Sequence, residues 1–158
     1  MSQPYDYIEM RIPAKPEYVG VVRLTSSGIA GRMGFSYDDI EDLKIAISEA
    51  CTNAVQHAYK TRGNGDVIIG FGLYRNRLEV MVADHGMSFD FQELRKKIGP
   101  YEMNDESVEF MREGGLGLYL IEALMDEVKI QHDEGVAVIM TKYIEGEKVE
   151  FDADTIST

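Results

Sequence analysis

From Tyr5 to Pro13 the residues alternate, with Tyr7, Glu9 and Arg11 opposed to Ile8, Met10 and Ile12. That period of two predicts a strand. The period then changes. Tyr18, Val21, Val22, Leu24, Thr25 and Ile29 recur at near-helical spacing behind Pro16, a residue suited to the first turn of a helix. Gly34 is placed to end that helix. Ser36, three residues before Asp39, is a variant of the capping box, and a long helix is predicted from about Tyr37 to about Tyr59. Its Leu43, Ile47, Ala50 and Ala54 fall on one stripe that can face a sheet. Gly63, Asn64 and Gly65 mark a turn. Val67 to Tyr74 and Arg77 to Ala83 read as a hairpin turning at Arg75-Asn76. Beyond Asp84 the periodicity dissolves as far as Glu113, with at most a short helix near Phe91 to Ile98. A loop of that length inside a compact domain is usually functional or mobile. Gly114-Gly115-Leu116-Gly117 then opens a helix to about Met125. Val128 to His132 and Val136 to Tyr143 form a second predicted hairpin, turning at Asp133-Glu134-Gly135.

The predicted order is strand, helix, helix, two strands, long loop, helix, two strands. Strands joined as hairpins with helices gathered on one face make an α+β fold, a two-layer sandwich with a mixed, mainly antiparallel sheet. Residues 1–144 are expected to form one domain and 145–158 a polar C-terminal tail. The 16 basic and 28 acidic residues leave a net charge of −12. That disfavours nucleic acid as a direct ligand, because phosphate binding needs a basic surface, and it favours docking on a basic protein. The single cysteine, Cys51, rules out an internal disulfide and a multi-cysteine metal site. No signal-peptide pattern and no membrane-length apolar run is visible, so a cytoplasmic protein is expected.

Three segments could carry chemistry. Glu49 and Asn53 stand four apart on the long helix and therefore project side by side. An amide carbonyl is a suitable oxygen ligand for Mg²⁺, and a carboxylate beside it could orient or deprotonate a hydroxyl nucleophile. The same pair also fits a solvated polar face that includes Asp42 and Gln56. Asp84-His85-Gly86 follows a strand. There a carboxylate could accept from the exocyclic amine of adenine and repel the equivalent acceptor of guanine, while Gly86 would let a base approach the backbone. An ordinary Asx turn explains the same three residues. The glycines at 114, 115 and 117 could aim backbone N–H groups at phosphate oxygens, or serve as a hinge. They match neither the dinucleotide fingerprint nor Walker A.

In combination, a helical Glu-x-x-x-Asn, a strand-end Asp-x-Gly, a long loop and a glycine-rich helix start resemble the Bergerat (GHKL) ATP-binding fold of gyrase, Hsp90, MutL and the histidine kinases. Ser48-Glu-Ala-Cys-Thr-Asn-Ala-Val-Gln-His-Ala-Tyr59 is similar to the anti-sigma serine kinases of Gram-positive bacteria. Tyr7-Ile-Glu-Met, Pro16-Glu-Tyr-Val-Gly20 and Glu113-Gly-Gly-Leu-Gly-Leu-Tyr119 bring it nearest to those that act on the stress sigma factor. The resemblance implies a GHKL serine kinase domain that uses ATP and Mg²⁺. It implies a protein that sequesters sigma-B, phosphorylates the anti-anti-sigma factor RsbV on serine, and works as a homodimer. Residue by residue, it implies Glu49 as the catalytic carboxylate and Asn53 as the Mg²⁺ ligand. Asp84 and Gly86 would read adenine, Gly115 and Gly117 would face the phosphates, and Thr141 would support the adenine pocket, although plain strand surface explains Thr141 as well. Arg112, offset by one from a basic residue that some relatives carry in the lid, would touch the phosphates. Arg95, Lys96 and Lys97 could serve instead, or form a solvated basic run.

Other readings of the same residues are a binding module that kept the ATP fold without phosphotransfer, and a catalytic fragment of a histidine kinase or ATPase. A sister switch kinase acting on a stress-signalling scaffold is a further one. Both Glu49 and Asn53 are present, which argues for phosphotransfer. His57 is expected to be a structural histidine, since no dimerisation helix pair of the histidine-kinase kind precedes it. Cys51 falls on a core-leaning face and is expected to be inert.

Overall fold

The computed structural model describes residues 3–62, 65–84, 117–132 and 136–144. The expected loop helix near Phe91 to Ile98, the second hairpin turn and the tail 145–158 lie outside the described residues. The element order is β1 (Asp6–Pro13), a single 3-10 turn (Pro16–Tyr18), α1 (Val19–Met33), α2 (Tyr37–Arg62), β2 (Asp66–Leu73), β3 (Arg77–Asp84), α3 (Gly117–Leu124), β4 (Glu127–His132) and β5 (Val136–Tyr143).

Local chemistry sets the boundaries. Pro16 opens the 3-10 turn that leads into α1. Gly34 ends α1 in the left-handed region, with φ 96°, and its N–H reaches back to the carbonyls of Ala30 and Gly31. Only a residue without Cβ takes that conformation at no steric cost. Asp39 N–H donates to Ser36 Oγ at 3.2 Å, so Ser36 caps α2 as the sequence suggests.

The five strands form one sheet in the order β1-β2-β3-β5-β4, and all four pairings are antiparallel. The expectation of a mixed sheet therefore meets no parallel pair among the described residues. Period-two alternation gives each strand a helix-facing set. On β2 that set is Val67, Ile69, Phe71 and Leu73; on β3 it is Leu78, Val80 and Val82; on β5 it is Val138 and Met140. The register joins them, pairing Val67 with Asp84, Ile69 with Val82 and Val80 with Met140.

Helix α2 lies on this face against β2, β3 and β5, and both α1 and α3 pack on it. Its buried stripe contains Ala46, Ala50, Ala54 and Ala58, interleaved with Leu43, Ile47, Cys51 and Val55. Short side chains at every fourth position let the helix axis approach its neighbours closely. With 26 residues the helix runs about 39 Å at 1.5 Å per residue, longer than any strand beneath it. Its first turns stand near Lys142, whose Nζ lies 3.9 Å from Asp39 and 3.7 Å from Asp42. The same Nζ donates to the carbonyl of Leu124 at 2.6 Å, tying the end of α3 to β5 and to α2.

A candidate nucleotide site between α2 and β3

Glu49, Asn53 and His57 follow one another at intervals of four on α2, so they form a single row on the helix surface. The row is not a solvated face. Asn53 is 4% exposed, and its amide nitrogen is a buried side-chain atom without a hydrogen-bond partner among the described residues. A buried, unpartnered amide costs the folded chain its full desolvation penalty. A water or a ligand can complete such a group, and a polar, charged ligand fits its chemistry.

At the far end of the row, His57 meets the last residue of β3. Its Nδ1 stands 2.7 Å from Asp84 Oδ2. An ionised carboxylate offers acceptors only, so Nδ1 carries the proton and donates. Asp84 is 1% exposed and continues the helix-facing set of Leu78, Val80 and Val82. The site thus has a carboxylate held inside the α/β interface, beside the row on α2. The sequence suggested a merely structural His57 and did not reveal this pairing.

At the other end, Glu49 is half-buried. It lines a cleft of about 310 Å³ together with Arg23, Glu41, Lys44, Ile45 and Ser48. Arg23 Nε donates to Ser48 Oγ at 2.9 Å, and Lys44 pairs with Glu41 at 3.0 Å. Helices α1 and α2 therefore shape a groove whose wall carries both cations and the Glu49 carboxylate. Cys51, between Glu49 and Asn53 in the sequence, is wholly buried, and burial pushes its thiol up to about 12. It is inert at neutral pH, as expected.

Gly117 begins α3, which packs on α2. Gly86, Gly115 and Arg112, together with Arg95, Lys96 and Lys97, lie outside the described residues.

Thr141 requires a correction. It is buried on β5 but pairs across with Glu79 and Glu127, on the face of the sheet away from the helices. There it lines a small cavity of about 80 Å³ with Arg77, Glu79, Glu127, Lys129 and Tyr143. Asp84 faces the opposite way, so the sheet itself separates the two residues. The β5 residues that share the face of Asp84 are Val138 and Met140.

The family model of the histidine kinase-like ATPase domain matches residues 12–142. The chain belongs to that family. Within it, the chain is 62% identical to the serine-protein kinase RsbW of Bacillus cereus strain AH820, over all 158 residues and 98% of that protein. The same identity and coverage hold for RsbW of Bacillus anthracis, and RsbW of Bacillus thuringiensis is 61% identical over the same lengths. Among solved structures, the RsbU and RsbW domains of a Mycobacterium tuberculosis protein align with a TM-score of 0.61 and 23% identity. That alignment covers 88% of this chain and 32% of that one, and it supports the fold. Family membership also makes ATP the nucleotide expected in the α2–β3 site. Among the described residues, no group of three or more His, Cys, Asp or Glu side chains could hold a metal ion by itself. No described helix is long and apolar enough to cross a membrane.

Proposed function

We propose that the chain is an ATP-dependent protein-serine kinase and anti-sigma factor. It holds the stress sigma factor sigma-B and phosphorylates the anti-anti-sigma factor RsbV on a serine. The observation that carries this reading is the full-length 62% identity to serine-protein kinases, over a domain whose site contains Glu49, Asn53 and Asp84. A homodimer in the cytoplasm completes the proposal.

Each side chain has a role that its surroundings support. Asp84, an acceptor-only carboxylate, takes a hydrogen bond from the exocyclic amine of adenine. Asn53 brings an amide nitrogen without a partner among the described residues, which fits a place beside phosphates. Mg²⁺, which prefers oxygen ligands and keeps several waters, would neutralise phosphate charge there. The backbone N–H groups at Gly115 and Gly117 serve the phosphates at the start of α3, and Gly86 gives the base room. Glu49 sits where the α1–α2 groove opens. A protein substrate reaches it from solvent, and its carboxylate takes the proton of the serine hydroxyl as the phosphoryl group transfers. Phosphoryl transfer depends mostly on positioning and charge, so the base adds to what the site already provides.

Release follows from charge. A phosphoserine carries nearly two negative charges, and this chain has a net charge of −12. Phosphorylation therefore weakens the antagonist's hold and leaves the kinase available to the sigma factor. The test is incubation of the chain with RsbV, ATP and Mg²⁺. Mass spectrometry is expected to find one phosphoserine, and a sigma-B pull-down with the antagonist present is expected to recover the chain only when the antagonist is phosphorylated. Full ATP binding without phosphate transfer to any protein would favour a binding module instead.

A further inference from the structure

The row on α2 extends one turn beyond the residues that the proposed function uses. His57 is 17% exposed at its side chain and Asp84 is 1% exposed, yet their atoms approach to 2.7 Å. We infer that His57 is a positioning residue for nucleotide selection, holding the Asp84 carboxylate in the orientation that reads the base. The inference deepens the nucleotide-site reading and rests on it.

The physical argument begins with the carboxylate rotor. The terminal torsion of an aspartate is broad and roughly two-fold, so a buried carboxylate takes its direction from its hydrogen-bond donors, of which His57 is one. A donor fixed on Oδ2 sets the plane of the group and hence the direction of Oδ1. A carboxylate has about four acceptor sites, so accepting from His57 leaves capacity for an adenine amine. Orientation is what a base reader needs, because a hydrogen bond weakens steeply as its angle falls. His57 is itself anchored in the C-terminal part of α2, eight residues beyond Glu49, on an element that packs against both β2 and β3. The backbone pairing of Asp84 with Val67 fixes the other half of the contact. Both partners are therefore held by secondary structure, as an orienting pair requires.

A purely structural histidine would make the same contact, so the test must separate the two. His57→Leu keeps the bulk and removes the donor. His57→Asn keeps a donor near the place of Nδ1, since its Nδ2 is likewise one atom beyond Cγ. Steady-state kinetics with the full chain, RsbV, Mg²⁺ and either ATP or GTP would be read beside thermal melting. Loss of one well-directed hydrogen bond of this kind is expected to raise KM for ATP on the order of tenfold, with kcat within a factor of about two. GTP, which Asp84 does not accept, should change little, so the ATP/GTP preference falls by the same order. His57→Asn should restore most of KM. In an Asp84→Asn background, His57→Leu should add nothing, because it acts through that carboxylate.

If His57→Leu lowers the melting temperature but leaves KM and nucleotide preference unchanged, the residue is structural and the inference is overturned. It is overturned equally if the effects of His57→Leu and Asp84→Asn simply add. The Asp84→Asn variant also checks the underlying reading. Weakened ATP binding in Asp84→Asn with no effect of His57→Leu overturns only the positioning role. Unchanged ATP binding in Asp84→Asn overturns the nucleotide site itself.

Discussion

Asn53 offers a prediction in which stability and function move in opposite directions. Its amide nitrogen is buried without a partner, in a helix interior. Replacing it by alanine removes a desolvated donor whose penalty is about 1–3 kcal/mol. It also substitutes the best helix former for a mediocre one, a gain of roughly 0.6 kcal/mol. Against this stands the loss of packing around two or three heavy atoms, roughly 1 kcal/mol in a position that is 4% exposed, if the site does not collapse. The balance favours the variant by about 1–2 kcal/mol in the absence of ligand. At about 2–4 °C per kcal/mol for a chain of this size, Asn53→Ala should melt roughly 2–8 °C above the parent. With ATP and Mg²⁺ at a hundred times Kd, the parent should gain about 2.7 kcal/mol from mass action, and the variant should gain almost nothing. Differential scanning calorimetry with and without nucleotide reads both numbers. A variant that melts below the parent without nucleotide would show that the amide is an ordinary structural group. One that still gains the full nucleotide shift would remove Asn53 from the site.

Three further outcomes follow. Glu49→Gln should bind ATP within a factor of about two of the parent but transfer phosphate on the order of 10²–10⁴-fold more slowly, as single-turnover labelling would show; unchanged transfer would exclude Glu49 as base. Gly34→Ala should cost about 1–2 kcal/mol, because φ 96° is held in the left-handed region, although no atom lies within 4 Å of the added Cβ; chemical denaturation measures it, and a neutral result would mean that the helix end relaxes. Cys51, with its thiol pushed up to about 12 by burial, should resist alkylation in the native chain at pH 8 and react once unfolded. Because the folded value is raised above 9.0, its contribution to stability is complete below pH 9 and falls as pH rises towards 12.

What the sequence revealed, and what it hid, follows from how far apart the deciding residues lie. The caps of α1 and α2 were legible because Gly34 and the Ser36–Asp39 pair act within one turn. Every strand and α-helix among the described residues lies where the sequence suggested one, β1 and the first two helices from their period and the other strands from short apolar runs bounded by turn residues. Thr141 misled because β5 is apolar on both faces. Val138 and Met140 face the helices, while Ala137 and Ile139 face away, and all four are buried. With no polar parity to count from, its face becomes visible only through the register that pairs Val80 with Met140. The His57–Asp84 contact spans 27 positions and depends on how far α2 slides along β3, which no local pattern encodes. A signal existed in the interval of four that joins Glu49, Asn53 and His57, a row that ends in a residue able to hold a carboxylate.

That row also gives the proposed nucleotide a direction. Eight residues of helix separate Glu49 from His57, about 12 Å along the axis, a span on the scale of an extended nucleoside triphosphate. The base belongs at the Asp84 end, where the carboxylate is already held at 2.7 Å and little remains to be ordered. The phosphates belong near Asn53, where a buried amide lacks a partner. Preorganisation at one end and an unmet donor at the other favour an order of events in which the base docks first and the phosphates complete the site. The reacting phosphate then arrives beside Glu49, at the mouth of the α1–α2 groove. A protein hydroxyl can enter there without displacing the nucleotide, because the groove lies on the α1 side of α2 and the base pocket on its β3 side. In the proposed arrangement one amphipathic helix separates the two substrates while presenting both to the same row of side chains.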